Sequence, residues 1–214
     1  MNILIAGQKA FGAAVFSALM QLDGVVVSAV AAPVRLDKID RLAAQAELWR
    51  VPIIPSGTLC AETMPDDIDL IVAAHSHDFI GEKTRLRATY GGIGYHPSLL
   101  PVHRGRDAIR WSIIMRDKIT GGTVYRLSNK MDGGNILAQR HVFIRPGITA
   151  TDLWREELFP LGVRLLCGVV SETRDHGFIY GEEQDEKCAT WEPSIDRPPV
   201  YRPDLVMLPY NNGR

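Results

Sequence analysis

The sequence predicts an α/β fold, a mostly parallel sheet flanked by helices, on three observations. Short apolar runs, each broken by at most one polar residue, recur along the first half, at Ile3 to Ala6, Val25 to Ala32 and Ile68 to Ala74. Such runs suit strands covered on both faces. Between them lie segments with apolar residues at helical spacing, and Gly7 and Pro33 close the first two runs. Strand and helix patterns alternating in this way predict βαβ units.

Taken in order, Ile3 to Ala6 predicts the first strand, and Phe11, Val15, Leu19 and Leu22 place a helix over Ala10 to Leu22. Val25 to Ala32 predicts a second strand, followed by a helix from about Lys38 to Arg50 with Ile39, Leu42 and Leu48 along its buried side. Val51 to Ile54 and Ile68 to Ala74 are read as the third and fourth strands. Gly81 to Thr89 reads as a short helix, Gly92 to His96 as a strand, and Asp107 to Met115 as a helix with Ile109, Ile113 and Ile114 inward.

The pattern then changes. Gly122 to Leu127 and Ile136 to Ile144 are strand-like runs with only a loop between them, which predicts an antiparallel pair at the sheet's end. Thr149, with Asp152 three residues on, marks a helix start. That helix, Thr151 to about Arg174, buries Leu153, Leu158, Leu161, Leu165, Leu166 and Val169, and Pro160 predicts a kink. Beyond Gly177 the chain becomes polar and proline-rich, so an extended C-terminal tail is expected over the surface. The expected organisation is a catalytic domain over 1–177 and a C-terminal extension over 178–214.

Composition excludes several function classes. A formal net charge of -1 provides no field for bulk nucleic acid or an acidic membrane. No apolar run approaches the ~20 residues of a membrane span. Cys60, Cys167 and Cys188 are far apart and form no CxxC pair, so neither a disulfide framework nor a zinc site is expected, and a reduced cytoplasmic setting is the default.

Four features bear on chemistry. Gly7 and Gly12 bracket a strand-to-helix loop that matches neither GxGxxG nor a phosphate loop, since Ala13-Ala14 follows Gly12; the glycines are read as turn and packing residues. His75 and His77, with Asp78, could supply three-quarters of a metal shell, but a lone HxH in a polar loop carries little weight, and the segment is read as a solvated or pocket-lining loop; no metal is expected. The cluster Glu182 to Lys187 reads as a solvated surface turn. His96 ends a buried strand and precedes Pro97, which turns the chain away from the sheet, a suitable place for a general acid or an electrophile. Asp132, between Met131 and Gly133-Gly134, sits where backbone freedom brings a carboxylate close to a ligand.

The segments His96-Pro97-Ser98-Leu99-Leu100-Pro101, Arg104-Gly105 and Met131-Asp132-Gly133-Gly134 together resemble the signature of the folate-dependent formyltransferases. The likeness covers roughly residues 1 to 193 and leans toward the hydrolase domain of 10-formyltetrahydrofolate dehydrogenase, with methionyl-tRNA formyltransferase also similar. It implies a Rossmann-like sheet with 10-formyltetrahydrofolate as co-substrate near the carboxyl edge. His96 and Asp132 would be the catalytic pair, one stabilising an oxyanion and the other relaying a proton. Phe79, Ile80, Arg126, Leu127, Ser128 and Met131 would contact the folate, and Gly94, Ser98 and Arg104 the substrate.

Two departures stand out. The family usually has asparagine two residues before the histidine, where this chain has Gly94, and relatives with a further domain continue where this chain has its proline-rich tail. Formyl transfer to a small amine is the leading expectation, with a homodimer possible. Transfer to water, releasing formate, and a non-catalytic folate- or nucleotide-binding module stand as alternatives. A dinucleotide-dependent dehydrogenase would need the phosphate fingerprint that the Gly7 to Gly12 loop lacks.

Overall fold

The computed structural model describes residues 1–34, 39–178 and 180–196. Seven strands form one sheet: β1 (Asn2–Gly7), β2 (Val26–Ala32), β3 (Ile53–Pro55), β4 (Leu70–Ala74), β5 (Gly92–His96), β6 (Ile119–Arg126) and β7 (Ile136–Phe143). Their order is β3-β2-β1-β4-β5-β6-β7. The first five pair in parallel, and β6 and β7 join antiparallel, as the two adjacent strand-like runs predicted. The chain steps outward from β1 through β2 to β3 and returns to β4 on the other side. This reversal opens a crevice at the carboxyl ends of the parallel strands.

The period-two alternation of β1 divides the core between the two faces of the sheet. Ile3 and Ile5 pack with Phe16, Val72, Ile93 and Val124 on one face, while Leu4 and Ala6 pack with Met64, Ile68, Ile71 and Ile80 on the other. Gly7 has a packing reason. A Cβ there would lie 2.3 Å from the carbonyl oxygen of Ala74, so only glycine lets β1 end beside β4.

The helices are α1 (Lys9–Leu19), α2 (Arg41–Leu48), α3 (Glu82–Arg85), α4 (Ala108–Ile114), α5 (Ala150–Leu153) and α6 (Phe159–His176). Thr149 caps α5 by accepting from the Asp152 amide, as its spacing predicted. The expected kink at Pro160 takes the form of a wide π turn over Trp154–Leu158, which joins α5 to α6 just before the proline. Proline has no N–H to donate into the preceding turn, so the hydrogen-bond ladder is reset there.

Three predicted inward residues turn outward. Ile39 is 49% exposed, Leu48 74% and Ile114 55%. On α2 the buried stripe is Leu42, Ala43 and Ala46, because small alanines let the helix lie close against the core that α1 also covers. The three cysteines are free thiols. Among the described residues no helix is long and apolar enough to cross a membrane, and no group of three or more His, Cys, Asp or Glu side chains is placed to hold a metal ion.

The segment 180–196 does not drift from the body. Glu182 exchanges backbone hydrogen bonds with Ile136, and Trp191 bridges to Arg104. Of the extended proline-rich tail expected beyond Gly177, the part past residue 196 lies outside the described residues.

Candidate active site

Strand β5 delivers His96 to the carboxyl edge of the sheet, and the loop after β6 brings Asp132 to meet it. Asp132 sits at a positive φ of 50°, and a Cβ on Gly134 would fall 1.7 Å from the Arg126 carbonyl oxygen. A loop that folds back so tightly accepts no side chain at that position. The result is a close approach, with His96 Nδ1 3.7 Å from Asp132 Oδ2 and side chains 8% and 11% exposed.

Each partner is held from behind. His96 Nε2 lies 2.7 Å from the backbone carbonyl oxygen of His103. A carbonyl only accepts, so Nε2 carries the proton, and Nδ1 is the nitrogen that faces Asp132. The carboxylate accepts from the Gly105 amide at 2.8 Å on Oδ2 and from the Tyr125 hydroxyl at 2.7 Å on Oδ1. Burial raises the Tyr125 phenol well above its usual range, and the neighbouring Asp132 charge raises it further. Tyr125 is therefore a neutral donor at any physiological pH.

The His103 side chain forms a further layer. Its Nε2 meets Asp117 Oδ2 at 2.8 Å, and its Nδ1 lies 3.0 Å from Glu192 Oε1 without hydrogen-bond alignment. Its backbone amide donates to Thr190 Oγ1. The peptide that anchors His96 is thus itself fixed by the C-terminal segment.

The residues expected to contact folate fall in two segments, and one arginine ties them together. Arg85 donates to the Ile80 carbonyl at 2.6 Å and to Asn129 Oδ1 at 2.7 Å, linking the stretch after β4 to the 126–132 loop. Phe79 and Met131 are exposed at 75% and 62%, which leaves apolar surface on both segments. Ile80 is buried, Leu127 is half-buried over Gly92 and Gly94, and Ser128 closes a turn through Lys130. Arg126 donates to the Tyr90 carbonyl and lies over the Phe178 ring at 4.2 Å.

Two residues expected at the substrate are committed elsewhere. Ser98 is fully buried and donates to the Val102 carbonyl, closing the turn after β5. Arg104 is 2% exposed, and its guanidinium is bonded to Gln184 and Glu186. A guanidinium with five donors and no access to water must be answered by protein acceptors, which here come from the C-terminal segment. The cluster Glu182 to Lys187 is accordingly more than a solvated turn. Gln184 also donates to the carbonyls of Asp132 and Gly134 at 2.7 Å each, supporting the loop that carries Asp132 from outside.

Sequence reasoning missed Tyr125, Gly105, Arg85 and Gln184. A signal for Tyr125 exists in the glycines two residues apart on β5, Gly92 and Gly94, since glycine within a strand marks close approach by something bulky.

Residues 57–159 match the model of the formyl transferase family. The chain is 32% identical over 205 residues to the cytosolic 10-formyltetrahydrofolate dehydrogenase of Xenopus laevis, a match covering 90% of this chain and 22% of that protein. It is 36% identical over 111 residues to the methionyl-tRNA formyltransferase of Acidobacterium capsulatum, covering 50% of this chain and 34% of that protein. Among solved structures, the N-formyltransferase of Helicobacter canadensis, in complex with folinic acid and dTDP-3-aminofucose, superposes with a TM-score of 0.72 at 18% identity, over 89% of this chain and 70% of that one. The phosphoribosylglycinamide formyltransferase of Bacillus halodurans superposes at 0.69 with 20% identity, over 82% and 96%.

The sheet order defines a doubly wound α/β protein, with the nearly buried His96–Asp132 pair at its carboxyl edge. The chain belongs to the formyl transferase family. It spans about a fifth of the length of the dehydrogenases it matches, 22%.

Proposed function

We infer that this protein is an enzyme that moves the formyl group of 10-formyltetrahydrofolate to a small amine. The His96–Asp132 pair carries the inference, a histidine and a carboxylate 3.7 Å apart and nearly buried at the carboxyl edge of the sheet. Likeness to 10-formyltetrahydrofolate dehydrogenases and to a formyltransferase crystallised with folinic acid supports the choice of co-substrate. The exposed Phe79 and Met131 offer apolar surface suited to a flat pteridine.

The two residues divide the work. Attack by the amine nitrogen on the formyl carbon forms a new C–N bond and leaves an oxyanion. His96 stabilises it from Nδ1, and because Nε2–H is already given to the His103 carbonyl, this role requires the doubly protonated ring. A single well-placed donor of this kind contributes about 2.7–4 kcal/mol. Asp132 accepts the proton shed by the attacking nitrogen and relays it to the folate nitrogen as the old C–N bond breaks.

Transfer to water is the second reading, supported by Gly94, which offers no side-chain donor, and by the dehydrogenase relatives. Incubation with 10-formyltetrahydrofolate alone separates the two. Formate release without an amine supports hydrolysis, whereas release of tetrahydrofolate only when an amine is added supports transfer. Failure to bind or turn over the folate under either condition refutes both, and binding without turnover would leave a folate-binding module. The acceptor is taken to be small. A single copy of the chain and a homodimer are both compatible with the proposed chemistry.

A further inference from the structure

The strand β5 carries glycine at two successive positions of one face, Gly92 and Gly94, followed on that face by His96. Across the antiparallel ladder, Gly94 is paired with Tyr125. Paired residues project to the same side of a sheet, so the Tyr125 ring and the Leu127 side chain two residues on share the face of His96. The fit is tight. A Cβ built on Gly94 would lie 3.1 Å from Leu127 Cδ2 and 3.3 Å from both Cε1 and Cζ of Tyr125. The space beside Gly94 is therefore occupied by the rim of the Tyr125 ring.

The far end of that ring is also engaged. The Tyr125 hydroxyl donates to Asp132 Oδ1 at 2.7 Å while the Gly105 amide donates to Oδ2 at 2.8 Å, so the carboxylate is gripped at both oxygens. Oδ2 is the oxygen turned toward His96. Tyr125 is only 9% exposed, so its hydroxyl has little water to turn to instead.

We propose that Gly94 and Tyr125 act as one unit, in which the missing side chain at 94 admits the tyrosine ring and the ring's hydroxyl positions the Asp132 carboxylate against His96. Tyr125 is a positioning residue, acting through Asp132. Gly94 is the space that lets it reach. The proposal rests on the formyl-transfer reading for its kinetic consequence, while the grip on the carboxylate is a property of the protein alone.

The isosteric variant Tyr125→Phe removes only the hydroxyl and keeps the ring packed. With 10-formyltetrahydrofolate, tested in water and with added glycinamide, kcat falls about 10–100-fold and KM stays within threefold, because the lost bond orients a proton carrier and does not hold the folate. Gly94→Ala pushes the ring and lowers kcat in the wild-type background, and costs under twofold once Tyr125 is phenylalanine, since both changes break the same link. Without any ligand, hydrogen exchange of the Gly105 amide, followed by NMR, speeds at least fivefold in Tyr125→Phe as the carboxylate it bonds loosens.

Wild-type kcat in Tyr125→Phe, a rise confined to KM, additive costs of the two substitutions, or unchanged Gly105 exchange would each overturn the proposal. A wild-type protein that leaves 10-formyltetrahydrofolate intact in both media overturns the formyl-transfer reading instead, and the Gly105 exchange still decides whether Tyr125 holds Asp132.

Discussion

His96 donates from Nε2 to the backbone carbonyl of His103 at 2.7 Å, and the His103 ring is itself set between Asp117 and Glu192. His96 is therefore oriented by a buried layer that reaches into the C-terminal segment. Its consequences are measurable at several depths.

At the centre, His96→Ala lowers kcat by about 10²–10³, the loss expected for one donor to a developing oxyanion. Asp132→Asn does the same or worse, because the amide cannot accept the proton from the amine. Urea midpoints of both variants stay within about 1 kcal/mol of wild type, and equilibrium binding of tetrahydrofolate is retained. Steady-state kinetics beside fluorescence binding checks both statements, and full turnover in either variant would remove the assigned role.

One layer out, His103→Ala removes the ring that lies 3.0 Å from Glu192 Oε1 and leaves that carboxyl, whose side chain is 7% exposed, without it. Leaving a buried polar group without its partner costs about 1–3 kcal/mol. Urea unfolding should show a loss near the lower end, since Asp117 is 32% exposed and can regain water. The double variant His103→Leu with Glu192→Gln should recover part of that loss, as it fills the space of the ring and replaces the carboxyl left beside it.

Arg104 separates two roles that a sequence reading merges. Its guanidinium is spent on Gln184 and Glu186, so Arg104→Lys loses the forked geometry and lowers stability by about 1–3 kcal/mol. KM for 10-formyltetrahydrofolate should stay within twofold. A tenfold rise in KM without loss of stability would restore Arg104 to the substrate.

Acid stability carries a different signature. His75, in the loop after β4, is pushed down to about 4 by partial removal from water and by Lys9, below the usual histidine value of 6.5. The unfolded chain binds the extra proton between pH 6.5 and 4 while the folded protein resists it, so stability falls as pH drops through this window. The ring remains in contact with solvent, and the loss stays under about 1 kcal/mol. His75→Asn should flatten that part of the stability profile. An unchanged acid slope in the variant would assign it to other groups.

Much of the fold was legible because the signals are local. Predominantly apolar runs at β1, β2 and β4 mark strands covered on both sides, and Thr149 with Asp152 marks a helix start. Amphipathic sides were less secure. On α2 the alanines face inward and Leu48 faces water, a choice made by how closely the helix must approach its neighbour and not by side-chain hydropathy.

The sequence by itself determined the sheet pattern, and His96 and Asp132 as the candidate pair, since a strand-end histidine and a glycine-flanked aspartate are visible in a few consecutive residues. Only the tertiary structure decided what surrounds them. Gly94 reads as a lost donor along the chain and becomes room for Tyr125 once β5 and β6 are in register. Arg104 and Gln184 meet across 80 residues, and Gln184 reaches the Asp132 carbonyl across 52. Such contacts depend on strand register and on where the C-terminal segment lands, which are set by packing of the whole molecule and leave no mark at either residue alone.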